Sequence, residues 1–315
     1  MTTLKSLTRR AALCAAIAVS PTLLLASESK IAEPTPASFA KEIGASERVE
    51  AAGLLRVLSQ EAANAACHIS HDVSADEARQ LLAEVKSKFS KTIDALEFGN
   101  PEMNINGAET RRKTLIRIED VRTAWGFMKD AAYALLDDPK NPEALATVKA
   151  ENENVLKITS NLTNDIAGVY SGPGLLLKTD VMLLTFTSRQ AMQAQKMGKH
   201  ACAIWSGDTS DTHVDGLTST MEFYDATLTA LINGMPAMGI LAAPTPEIST
   251  ALREASQDWG KTKTELKMVL EQTEVDNSLK ADLFHDLNLA MRQMQTIEKL
   301  YAKHAKHRYV LDITD

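Results

Sequence analysis

The amino-acid sequence predicts an all-α protein made of two tandem antiparallel four-helix bundles. Three observations lead there. Glycine and proline are few, at 14 and 10 in 315 residues, and aromatics make up only 5%. The common residues (Ala, Leu, Glu, Lys, Gln and Met) are those that lose least on entering a helix. Apolar residues recur at helical spacing through long stretches without proline. Finally, the chain repeats itself at an offset of about 135 residues, which marks a second copy of one structural unit.

The repeat is carried by particular residues. Gln60, Ala66, Cys67 and Ile69 match Gln195, Ala201, Cys202 and Ile204. Phe89 matches Tyr224, Ile93 matches Leu228, and Ala95-Leu96 matches Ala230-Leu231. "GNPEMNI" (Gly99–Ile105) matches "GMPAMGI" (Gly234–Ile240), after which the offset slips by one and Trp125 matches Trp259.

In chain order, residues 1–26 read as a signal peptide. Lys5, Arg9 and Arg10 precede the apolar run "AALCAAIAVSPTLLLA", which Ala26 closes. The pair Arg9-Arg10 leaves export by the Sec or the twin-arginine route open, and a retained anchor is the alternative to cleavage. Residues 27–40 are a linker. The first bundle spans 41–171. Its first helix lies within "KEIGASERVEAAGLLRVLSQEAANAACHIS", and Asp72, Ser74 and Asp76 form a capped turn. A second helix places Leu82, Val85, Phe89, Ile93 and Leu96 on one face and stops at "GNPEM". A third runs over about 108–136 and a fourth over about 142–169. "SGPG" at 171–174 is the clearest break. The second bundle, 175–308, repeats the plan over about 176–206, 213–233, 246–272 and 277–305. Short connections make successive helices antiparallel neighbours. Residues 309–315 are read as a tail, either loose or an extended strap.

Charge narrows the partners. The chain carries a net −7, and losing the three positive charges of the leader takes it to −10. That excludes nucleic acid as a natural partner. After the leader no stretch is apolar enough to span a bilayer; the best, "GLLLKTDVMLLTF", is interrupted by Lys178 and Asp180.

The repeated first helices carry a resemblance. Ala52-Gly53-Leu54-Leu55-Arg56-Val57-Leu58-Ser59-Gln60 and Ser188-Arg189-Gln190-Ala191-Met192-Gln193-Ala194-Gln195 are similar to the A-G-R-Q-R-M-L-S-Q-R-M-A-K pattern that opens the NarX-like, or type IV pili methyl-accepting chemotaxis transducer (PilJ-type), N-terminal domain. Later G-x-P and tryptophan features of that family recur in both repeats. The resemblance implies an exported helical sensory module. In the family's nitrate and nitrite sensors, arginines of the first helix bind the anion where two subunits meet. One chain with two copies then fuses what other proteins assemble as a dimer. In the family's transducers a membrane helix and a signalling domain follow. Neither is read here after the leader, so a signalling or membrane protein is the expected partner, with the oligomeric state left open.

On that basis the candidate ligand-binding residues are Arg56, Gln60, Arg189 and Gln195. Guanidinium forks suit planar oxyanions, and a pseudo-twofold arrangement would let Arg56 and Arg189 bracket one. Each repeat departs from the pattern by keeping one arginine of two: Leu54 and Ala191 stand at the other positions. The competing reading makes Arg56 and Arg189 surface residues paired with acids such as Glu61 or Asp180. Cys67 and Cys202 have three readings: small core residues, a disulfide between equivalent positions, or intermolecular pairing and reactivity. Cys67, His68, His71, Met192, Met197, His200 and Cys202 offer soft donors, but helix ends and core spacing explain them as well, so no metal site and no cofactor is assigned. No phosphate loop, nucleophile elbow or H-E-x-x-H occurs, and the chain is read as non-enzymatic. The expected function is an exported ligand-binding or sensory accessory protein for a small anion such as nitrate or nitrite. The alternatives are an interaction module docking a membrane or signalling partner, and a periplasmic metal-binding protein.

Overall fold

The computed structural model describes residues 43–172, 175–271 and 275–311, the last five as backbone alone. The signal-peptide and linker readings (1–26 and 27–40) lie outside these residues. The described residues form eight α-helices and no strand: α1 (Ala45–His71), α2 (Ala75–Phe98), α3 (Arg112–Asp137), α4 (Pro142–Tyr170), α5 (Lys178–Trp205), α6 (Asp211–Asn233), α7 (Pro246–Leu270) and α8 (Asn277–Leu311). No described helix is long and apolar enough to cross a membrane.

The two repeats fold alike. In the first, α1 packs against α2 and α4, and α3 against α4; in the second, α5 packs against α6 and α8, and α7 against α8. The repeats meet through their first helices, α1 on α5. Those two helices are therefore covered on nearly every side, with most of their residues buried. The outer helices bury one stripe each, such as Leu82, Val85, Phe89, Ile93 and Leu96 of α2. Burial of each such side chain contributes about 1.5–3 kcal/mol.

Equivalent residues do equivalent work. Phe89 stacks on Trp125 with ring centroids 4.1 Å apart, and Tyr224 lies against Trp259 at 4.5 Å. In "GNPEMNI" and "GMPAMGI", a short 3₁₀ turn is closed by backbone pairing of Asn100 with Ile105 and of Met235 with Ile240. Asn100 also accepts from the backbone N–H groups of Glu102 and Met103. The first of these loops docks on the start of α1. Gly44 sits there at φ +70°, and a Cβ at Gly44 would fall 1.9 Å from the Asn104 carbonyl oxygen, so only glycine fits.

Two details differ from the sequence reading. The α1–α2 turn is made by Asp72 and Ser74 in the left-handed region, and Ser74 makes no side-chain cap; with only three residues between the helices, left-handed backbone at two of them reverses the chain. At the other end α8 continues to Leu311, taking up the first residues of the expected tail.

Candidate functional site

Burying α1 and α5 on all sides forces their polar residues to find partners within the protein. They form a seam. Asn64 of α1 donates to Gln195 of α5 at 2.9 Å, and Gln195 donates to Asn288 of α8 at 2.8 Å. Gly198 makes room for this ladder: a Cβ there would sit 2.7 Å from the Asn64 amide. Gln60 is also fully buried in the seam, with only a long contact to Ser59 at 3.5 Å.

Arg56 is 2% exposed. Its guanidinium donates to Ser188 Oγ at 2.7 Å and reaches the Thr185 carbonyl at 3.4 Å, while its Nε has no partner. Burial first, and the charge of Arg189 second, push its pKa down to about 10. Arg189 is exposed and lies over the Phe223 ring at 5.1 Å. Arg56 is thus a buried latch between the repeats, whereas Arg189 stands on the outer surface of α5.

At the far end of the seam, Cys67 and Cys202 form a disulfide with Cα atoms 6.2 Å apart. His71 lies beside it, with Nδ1 3.7 Å from the Cys67 sulfur. Cys67, His71 and Cys202 are the one trio of potential ligand atoms that converges among the described residues. Joined as a disulfide, the sulfurs lack the thiolate that a metal needs. The other soft donors are dispersed. Met192 and Met197 are core residues, and His68 is buried against Phe284 and Trp205. Burial pushes the His68 pKa down to about 3, so it is neutral.

Beside the disulfide a cavity of about 370 Å³ opens where α1, α4, α5 and α6 meet. Lys149, Lys196, Lys199, His200 and His213 line it, with Glu153 as its carboxylate. Lys199 is 7% exposed and donates to Asn152 at 2.8 Å and Glu153 at 2.6 Å. Burial lowers its pKa to about 8, against the pull of Glu153, so the ammonium persists at neutral pH. Lys196 shares Glu153 at 3.4 Å, and Lys149 leans on Asp208 at 3.7 Å. His200 meets His213 at 3.0 Å, and His213 meets Asp208 at 3.3 Å. Burial and the neighbouring lysines keep His200 neutral. Its ring lies flat on α6 because residue 216 is glycine; a Cβ there would be 2.7 Å from the ring.

The sequence reading missed Lys196 and Lys199, although both stand on the repeated helix. Lys199 occupies the position equivalent to Asn64. Where Asn64 reaches Gln195 across the seam, Lys199 reaches Asn152 of α4 instead. A break in the repeat, amide in one copy and amine in the other, was the available signal.

Fold and clefts together define a class: paired helical bundles, joined through their first helices, with ligand-sized openings where the repeats meet. The chain belongs to the type IV pili methyl-accepting chemotaxis transducer N-terminal family, whose model matches residues 38–150 and 186–284, one segment in each repeat. No curated protein matches it. Membership makes this a non-enzymatic sensory domain.

Proposed function

We propose that the chain is an exported sensory or ligand-binding accessory protein that takes a small anion in the cavity beside the disulfide. The observation that carries this reading is the wall of Lys149, Lys196 and Lys199 around an open space whose lining holds one carboxylate, Glu153. A partly desolvated ammonium attracts an oxyanion more strongly than one in bulk water. Lys196 and Lys199 lie on the first helix of the second repeat, so the anion stays near the first helices, as the family resemblance suggests. Nitrate and nitrite are the anions that resemblance favours. Arg56 belongs to the latch and supports the site without touching the ligand. Since α4 of one repeat and α6 of the other both border the cavity, occupancy would bias how the repeats pack. A signalling or membrane partner would read that bias.

A second reading rests on a different surface. Ile116 and Phe127 of α3 are 51% and 66% exposed and, eleven residues apart, share one helix face. A protein partner docking there would make the chain an interaction module.

Thermal melts with nitrate, nitrite and small carboxylates separate these readings. Saturation at about 100 times the dissociation constant adds roughly 2.7 kcal/mol. The expected result is a shift abolished by Lys199→Ala, kept by Arg56→Lys and increased by Glu153→Gln, which frees both lysines. No shift with any anion, or a shift lost only on changing Arg56, would remove this site.

A further inference from the structure

On the opposite side of the α1–α5 seam, a cleft of about 560 Å³ lies between α1, α2, α8 and the first 3₁₀ turn. Five glutamates line it (Glu47, Glu50, Glu61, Glu102 and Glu298) against Lys88 and Lys299. Two of the five are engaged elsewhere: Glu47 pairs with Lys306, and Glu102 pairs with Lys91 at 2.9 Å. The other three are different. Glu298 is 7% exposed and its Oε1 has no hydrogen-bond partner. Glu61 is 4% exposed, and neither it nor Glu50 has a hydrogen bond or ion pair among the described residues. Carboxyl groups enclosed in this way, with cations nearby but none bonded to them, are costly to ionise, and a cation brought from outside the chain would offset that cost.

We propose that this cleft binds a linear organic polycation, a di- or polyamine whose ammonium groups meet Glu50, Glu61 and Glu298. Two features select that class over a metal ion. Calcium or magnesium needs several oxygens converging at about 2.0–2.6 Å from one point, whereas no three of these carboxylates bring their oxygens together. They are strung out instead: Glu50 and Glu61 are eleven residues apart on α1, about 16 Å along its axis. Between them Ala51, Leu54 and Leu58, with Met291 opposite, form an apolar floor on which methylene runs would lie.

Binding a cation to carboxyl groups held partly protonated releases protons. Burial, with Glu47 for Glu50, pushes Glu50 and Glu61 up to about 7, and Glu298 stands well above its ordinary range. The charged groups facing them are Arg56 and Glu47 of α1, Glu84 and Lys88 of α2, and Arg292, Lys299 and Lys306 of α8.

The test is isothermal titration of the full chain with spermidine, with butylamine and magnesium chloride as controls, in two buffers of different ionisation enthalpy at pH 7. The proposal expects saturable spermidine binding with proton release and butylamine at least tenfold weaker. It also expects a tenfold or greater loss in Glu50→Gln, a half-buried position where folding is not at stake, and in Glu61→Gln. Lys199→Ala should bind spermidine normally, which separates this cleft from the anion cavity. Absence of saturable binding, equal binding of magnesium, or an undiminished affinity in folded Glu50→Gln and Glu61→Gln would overturn it.

Discussion

Removing the disulfide tests how the repeats are held together. Cys67→Ala with Cys202→Ala opens a loop spanning the sequence separation of 135 residues. In the chain-entropy view a loop of that length restricts the unfolded ensemble by about 5 kcal/mol, and native disulfides typically contribute 2–5 kcal/mol. Both sites are buried, Cys67 at 4% and Cys202 at 0% exposure; alanine leaves no unsatisfied polar group, so the change reads the cross-link and a small cavity. For a chain this long, 1 kcal/mol moves Tm by about 2–4 °C, which places the expected drop at about 10 °C. The assay is paired thermal and urea unfolding of the oxidised wild type and the double variant. The urea m-value should rise, because the unfolded chain without its cross-link exposes more surface. Helical content by circular dichroism should be unchanged. Equal Tm and equal midpoint in the two proteins would refute the reasoning: the seam would then be fixed by packing alone.

Further outcomes follow from the seam. Gly198→Ala places a methyl group 2.7 Å from the Asn64 amide and should cost about 1–3 kcal/mol by urea titration, whereas Gly126→Ala, whose Cβ meets nothing within 4 Å, should be neutral or stabilising. The pKa of His68, lowered by burial from 6.5 to about 3, makes the folded state bind fewer protons than the unfolded state below pH 6.5. Its contribution is therefore complete above pH 6.5 and lost as the pH falls, by about 2 kcal/mol between pH 7 and pH 5. Glu50 and Glu61, raised to about 7, act in the opposite sense, stabilising the fold as the pH falls from 7 toward 4.5. His68→Phe, stacked on Phe284, should accordingly turn a shallow pH dependence into a rise in stability toward pH 5. A parallel loss in wild type and variant would contradict the assignment.

The outer helices were legible in the sequence because each has one wet face. Phe89 and Trp125 match their counterparts Tyr224 and Trp259 through the repeat alone, and the paired ring contacts follow from that match. The central helices were harder to read. A helix buried all round shows no polar stripe, so Arg56 and Glu61 look like surface residues in sequence, yet both are almost fully enclosed. The two clefts were not legible for another reason. Lys199 meets Glu153 across 46 positions, and Glu298 joins Glu50 across 248; such pairings arise only once the repeats dock. The family resemblance pointed to the first helices of the repeats, while the side chains that face open space on them are set by the α1–α5 contact.

The most direct test of the account is hydrogen–deuterium exchange of the oxidised chain with and without saturating nitrate, with chloride at equal ionic strength as the control. The account predicts added protection confined to the segments around the lysine-lined cavity, residues 145–153 of α4, 196–203 of α5 and the start of α6. Protection centred on Arg56 and Ser188 instead, or none anywhere, would contradict it.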